Sequence, residues 1–581
     1  MLRTVATTVV AAALVAAVLV PTASAAPPRV TSTSNTTVAP SASGADCEWG
    51  TEPAAVIPHV DYPRGYLNGG DWRRDYDPPY ECAIGPAWTP IMHNYPISHV
   101  QVTSEEYGVQ WADQRQCTGL DDPNCRPGDW AEMYAESALG YCDQATDFNC
   151  VESLHVIGPD GSEQAARFLR GFPEIPEVPE YNRDGLFNPA GGSVPLWEYD
   201  VPGGTVRILT IGKTESVFRV NGGRWFMVTP SSLFRFFVRP VTIESRPGIP
   251  KPSFVEYVDP STGAERIRPG GWEHPAAYGC VAIETNECAL DATFPEGTRY
   301  RVTLRLRDAA SMYLNGAVDT PVAYSEKIPG GHRFVIEAAP SPVLGMAGWI
   351  PKSQVPRSLV EQTFADLGFN YNWEIDFEAA SYKSMGRGGR DSLGWLNALM
   401  PYFGDRASFI VDAWYVENTP PIPGRPIEPC LIEGTGEFVG IVASNATAYT
   451  GDPPTYNPVT STLSYEIAGP HYMPDGVTLS KGRYSINMNA EYVKCLLGID
   501  KVPSIARVEL IYPDGEGSAA TLALKQDKNW LRLSYENFTF SSPTVNVKFP
   551  KPLTCFKGKG KRVQSKKFVA FECPKGWRLQ R

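Results

Sequence analysis

Three carboxylates at every second position, Glu374, Asp376 and Glu378 in the run Trp373-Glu374-Ile375-Asp376-Phe377-Glu378, come closest in type and spacing to a catalytic constellation. Two carboxyls about 5 to 5.5 Å apart, one protonated and one ionised, are what a retaining glycoside hydrolase requires. A third carboxyl between them would push their protonation apart. Alternation along a strand puts all three on one face and Phe369, Tyr371, Trp373, Ile375 and Phe377 on the other. At about 3.3 Å per residue, positions four apart are separated by about 13 Å, so Glu374 and Glu378 converge only if the strand bends or bulges.

The run resembles the E-x-D-x-E strand of lichenase-like glycoside hydrolases. That resemblance implies Glu374 as nucleophile, Glu378 as acid/base and Asp376 as the group that tunes them. A second row offers a structural use for the same charges. Arg299, Arg301, Arg305 and Arg307 alternate with Tyr300, Val302, Leu304 and Leu306. Opposite charges facing each other on adjacent strands contribute about 0.2 to 1 kcal/mol per pair. The expectation is therefore that strands 299–307 and 369–378 lie in one sheet and form a solvent-facing ion-pair ladder. On this reading no catalytic residue is assigned, and a secreted glycoside hydrolase using Glu374, Asp376 and Glu378 is the alternative.

No G-x-S-x-G elbow, H-E-x-x-H pair or phosphate-binding loop occurs, and Gly434-Thr435-Gly436 reads as a turn. The histidines are scattered and form no H-x-H pair. No cofactor is expected. Calcium is the ion considered, at the acidic turns Asp121-Asp122-Pro123-Asn124 and Asp143 to Asn149. It needs six to eight oxygens, and the same residues also close turns through their own side chains. Trp49, Tyr62, Tyr66, Trp72, Tyr76, Tyr80, Trp88 and Trp111 read as a small core rather than a sugar platform.

Charge is distributed unevenly. Residues 46–190 hold 25 Asp/Glu against 8 Arg and no Lys, whereas residues 551–581 hold 10 Lys/Arg against Glu572 alone. Within that tail Lys557, Lys559, Lys561, Arg562, Lys566 and Lys567 lie between Cys555 and Cys573, a spacing that predicts a pinned hairpin concentrating positive charge. The expected partner is an anionic polymer or carbohydrate of the cell envelope, attracted electrostatically and released by salt. Nucleic acid is not expected, because an exported protein rarely meets it and the rest of the chain is strongly acidic.

The elements that must carry these groups are read as follows. Arg3, an apolar Ala/Val/Leu run and Ala23-Ser24-Ala25 have the layout of a signal peptide, 1–25. No later run reaches the roughly 18 apolar residues of a membrane helix, so the expected location is secreted, extracellular or cell-wall associated, with no transmembrane segment. Residues 26–45 read as a disordered linker and 46–150 as an acidic, aromatic, Cys-rich region of irregular structure. A β domain at 151–250 and a β-sandwich with one helix at 251–418 follow. A Pro-rich connector at 419–429 then leads to a β-sandwich of immunoglobulin-like size at 430–550 and the basic two-cysteine tail at 551–581. The chain is mainly β on this reading. Twelve cysteines predict six neighbour disulfides: Cys47 with Cys82, Cys117 with Cys125, Cys142 with Cys150, Cys280 with Cys288, Cys430 with Cys495, and Cys555 with Cys573. The helix is placed at 391–400, with Leu393, Leu396, Leu399 and Met400 on one side and Pro401 at its limit.

Three segments carry a further resemblance: Phe438 to Ala446, Leu463 to Gly476 with its Gly469-Pro470-His471-Tyr472-Met473-Pro474-Asp475-Gly476, and Phe538 to Pro543. Together they resemble large secreted proteins of Gram-positive bacteria without assigned activity. The tail from Thr554 to Trp577 is similar to a Lys-rich, two-cysteine module that ends exported surface proteins of such bacteria. This implies an extracellular, domain-built protein and supplies no catalytic residues; the expectation of a non-catalytic surface display or binding protein, retained by its basic tail, rests on fold analogy.

Overall fold

The period-2 runs of the sequence fold into strands in the computed structural model, which describes residues 83–88, 99–103, 114–117 and, with gaps of which 359–380 is the longest, 122–579. The structure is mainly β, as expected. The first body uses β1 (Glu132–Ala138), β2 (Cys150–Ile157), β3 (Glu163–Ala165), β4 (Arg167–Gly171), β5 (Pro195–Val201), β6 (Gly204–Asn221), β7 (Leu233–Ser245), β8 (Glu287–Asp291), β9 (Arg299–Leu306), β10 (Tyr313–Ile328) and β11 (Gly331–Ala347). It also takes in β12 (Phe409–Ala413) and β13 (Tyr415–Asn418).

In one layer β9 lies between β2 and β11, with β3 beyond β2. In the other, β4, β5, β6, β7 and β13 follow one another, and β1 also borders β6. Val302 and Leu304 of β9, Ile336 of β11, Ile208 of β6, Phe236 and Val238 of β7 and Trp414 meet in the shared core. Burying each such large side chain contributes about 1.5 to 3 kcal/mol. β10 belongs to both layers. Its C-terminal part pairs with β11 and its N-terminal part with β13, and the register shifts between Asp319 and Val322. There Thr320 has φ of 45°, a left-handed backbone that turns the strand as a bulge does.

The helix is α1 (Arg390–Leu399), one residue earlier at each end than the predicted 391–400. Leu393, Leu396 and Leu399 are buried against Met346, Ile350 and Ala448. A 3-10 turn follows and stops at Gly404, whose φ is 67°.

The second body is a sandwich. β14 (Gly440–Ser444), β16 (Lys481–Asn489) and β19 (Trp530–Thr539) form one layer; β15 (Thr462–Ala468), β17 (Ile505–Ile511), β18 (Gly517–Ala523) and β20 (Thr544–Lys548) form the other. Tyr484, Ile486, Met488, Leu531 and Leu533 face Leu463, Tyr465, Val508, Leu510, Val545 and Val547. The short helix α2 (Ala490–Leu497) is N-capped by the Asn489 side chain and tied by Cys495 to Cys430.

The sheets do not respect the boundaries read from the sequence. β14 pairs in parallel with β10, joining residues 440–443 to 313–316, and β13 pairs with β7. Strands from the predicted segments 151–250, 251–418 and 430–550 thus share one ladder. The predicted connector 419–429 lies outside the described residues; the strands before and after it share a sheet, because hydrogen bonding between strands is indifferent to what joins them. β21 (Lys551–Lys557) and β22 (Gln564–Ala570) then pair, with Arg578–Leu579 on the other side of β21.

Candidate functional site

The carboxylate row Glu374, Asp376 and Glu378 lies outside the described residues, and so does the Cys47 and Cys82 pair. The arginine row facing it in the sequence reading does form a ladder, with other partners. Glu337 of β11 accepts from Arg299 Nε at 3.2 Å and from Arg301 Nε and Nη2 at 3.0 and 2.9 Å. Arg301 Nη1 also donates to Glu163 at 2.7 Å, and Glu163 meets His155 Nδ1 at 2.8 Å. Arg305 and Arg333 both grip Glu152 of β2, at 2.8 Å for Arg305 Nη2 and for Arg333 Nε. Arg307 Nε donates to Glu180 at 2.7 Å. This corrects the expected partners: β2 and β11 are the actual neighbours of β9 and supply Glu152 and Glu337, while Glu163 of β3 and Glu180 supply the other acids. The hydrogen bond from Arg333 foremost, then that from Arg305, holds the Glu152 carboxyl at about 2, against the opposing effect of its burial.

The tail presents the opposite situation. Cys555 is buried and bonded to Cys573. Around that pin Lys557, Lys566 and Lys567 are exposed. Register places Lys566 opposite Cys555 and Lys567 opposite Thr554, so the two lysines point to opposite faces of the sheet. Lys566 Nζ lies 5.3 Å from the centre of the Phe568 ring, which itself packs edge-on to Trp577. None of these three lysines makes an ion pair among the described residues. Lys559, Lys561 and Arg562 lie outside them. Val563, Val569 and Leu579 are exposed beside the lysines.

Four further disulfides join Cys117 to Cys125, Cys142 to Cys150, Cys280 to Cys288 and Cys430 to Cys495. The acidic turn between Cys142 and Cys150 uses its oxygens internally. Asp147 accepts from the Gln144 amide at 2.7 Å, and Asn149 accepts from the Arg307 amide at 3.2 Å while donating to Glu180. Among the described residues no group of three or more His, Cys, Asp or Glu is arranged to hold a metal ion. Of the histidines, His471 meets the Phe540 carbonyl through Nδ1 at 2.9 Å, a packing role.

Sequence reading missed a charged row on the second face of the β6–β7 sheet. In register it runs Glu136, Glu215, Lys213, Arg235, Glu417 and Asn315 across five strands. Lys213 Nζ bridges Glu136 at 2.5 Å, and Arg235 Nε lies 3.8 Å from Glu417. Tyr415 and Tyr449 both donate to Glu417, and Asn315 joins Tyr465 to the Gly451 carbonyl at 2.6 Å each. Burial first, and the charge of the facing Glu136 second, push the Glu215 carboxyl up. Arg235 was legible as the residue between Phe234 and Phe236. Alternation gives its side of the strand but not that this side is covered.

No protein-family model matches the chain, and no curated protein matches it.

Proposed function

We propose that this chain is a non-catalytic protein of the cell exterior, a surface display or binding protein held at the envelope by its C-terminal basic sheet. The observation that carries this reading is the state of the tail lysines: Lys557, Lys566 and Lys567 are exposed on a disulfide-pinned sheet and free of acidic partners among the described residues. An anionic envelope polymer or carbohydrate is the ligand such a surface attracts, through charges that no carboxylate among the described residues neutralises. Five disulfides among the described residues are compatible with an oxidising exterior, and no helix there is long and apolar enough to cross a membrane.

The test is retention. The full chain with Lys557, Lys566 and Lys567 changed to Gln is expected to shift from the cell-bound to the released fraction, and the remaining bound protein to elute at lower salt. Equal retention of the two chains would rule the reading out.

A further inference from the structure

β7 changes neighbours along its length. It pairs with β13 from Arg235 to Phe237, Val238 N–H then donates to the Trp414 carbonyl at 3.1 Å, and from Val241 onward its partner is β8. Pro240 stands at the change. It has no N–H with which to continue the ladder, and its carbonyl accepts from Ala292 at 2.9 Å. Among the described residues no strand fills the lane beside β12 that β7 would otherwise occupy.

The groups that border the lane follow from register. β12 pairs on its far side with β11, with Val411 opposite Val343 and Asp412 opposite Pro342. Pro342 cannot donate, so Asp412 and Pro342 are not a mutually hydrogen-bonded pair, and alternation turns the N–H and C=O of Ile410 and Asp412 toward the other edge. On that edge Trp414 C=O already meets Val238, which fixes the same parity independently. A cavity of about 260 Å³ lies along it, lined among others by Arg239, Pro240, Asp291, Phe294, Ile410 and Asp412. Ile410 is 40% exposed. Arg239 is engaged through Nε and Nη2 with Asp291, which cancels its charge, while the exposed Asp412 carboxylate makes no hydrogen bond or ion pair among the described residues.

We infer that this lane receives an extended peptide segment of a partner protein, which adds to β12 as a short strand and sets a Lys or Arg side chain beside Asp412. Main-chain donors and acceptors repeating every second residue are matched by another extended backbone. A compact small molecule would leave one of the two positions unpaired, and the cavity lies below the roughly 300 to 1,000 Å³ of sites for drug-sized ligands. Asp412 supplies the selectivity. A charge on an open edge disfavours apolar strands, including a second copy of β12 with its own Asp412, and favours a cationic one.

The experiment uses the full chain and the acetylated, amidated peptide Lys-Val-Lys-Val-Lys, followed by calorimetry and by amide exchange. In the free protein the Ile410 and Asp412 amides are expected to exchange faster than those of Val411 and Ala413, and to slow when the peptide is added. Asp412→Pro removes the edge donor without touching the β11 ladder, and backbone N-methylation of the peptide, at the lysines for antiparallel addition and at the valines for parallel addition, removes the matching donors. Each change is expected to weaken binding about tenfold or more. Asp412→Lys, which keeps the backbone intact, is expected to lose binding through charge alone. Failure of the wild-type chain to bind, binding unaltered by Asp412→Lys, or slow exchange at Ile410 and Asp412 in the free protein would each overturn the inference.

Discussion

On β9 and just past its end, the guanidinium groups of Arg299, Arg301, Arg305 and Arg307 each have a carboxylate within 3.2 Å, whereas Lys557, Lys566 and Lys567 on the tail sheet face none among the described residues. The difference comes from what surrounds two similar rows of charge. β9 is an inner strand, and both neighbours bring Glu side chains to its outer face. The tail is a three-stranded sheet in a segment whose one acid is Glu572. Residue type follows the same division, since the planar Arg fork suits fixed bidentate pairing while Lys remains a hydrated, mobile charge. The arginines consolidate the fold, and the lysines remain available to something outside it.

Stability and retention measurements test this contrast directly. The largest effect is expected from changing Cys555 and Cys573 together to Ser. Opening a loop of 18 residues should destabilise the tail by about 3 kcal/mol, read as earlier unfolding of that sheet and loss of retention while the body still melts normally. Glu152→Gln comes next, because Arg305 and Arg333 lose the negative charge they share and one of its two acceptor oxygens. A cost of about 1 to 2 kcal/mol by denaturant unfolding, after allowance for partial exposure, would support a structural ladder. No change would make it as idle as a solvated face.

The pH dependence separates two carboxylates. Glu152 has a folded pKa of about 2, below its ordinary value of 4.5. Its contribution to stability is therefore present above about pH 4.5 and disappears as pH falls toward 2, and Glu152→Gln should flatten that limb. Glu215 is shifted the other way, so its contribution is present below its ordinary pKa and lost as pH rises through the elevated folded value. Glu215→Gln is accordingly expected to stabilise the protein near neutral pH. The smallest effect belongs to Lys566→Gln, within about 0.5 kcal/mol in unfolding, with its consequence confined to polyanion binding.

Much of the architecture was legible. Tyr300, Val302 and Leu304 alternate with arginines because successive residues of a strand face opposite ways, and all three are buried. The Leu393, Leu396 and Leu399 spacing marked the helix and its buried side. The carboxylate partners of the arginines were not legible. Glu152, Glu163, Glu180 and Glu337 come from scattered parts of the chain, and Glu374, Asp376 and Glu378 attracted notice only because they stand together in sequence.

Which residues point inward on each strand, where turns interrupt the strands, and the concentration of basic charge between Cys555 and Cys573 were all readable from residue order alone. These are local properties, set by backbone geometry and side-chain type over a few residues. Which strands are neighbours came from the folded arrangement, and with it the acids that receive the arginines, the covered row from Glu136 to Asn315, and the lane that no described strand fills where Pro240 turns β7 away from β12. Adjacency between strands depends on contacts hundreds of residues apart, which no short window of sequence encodes.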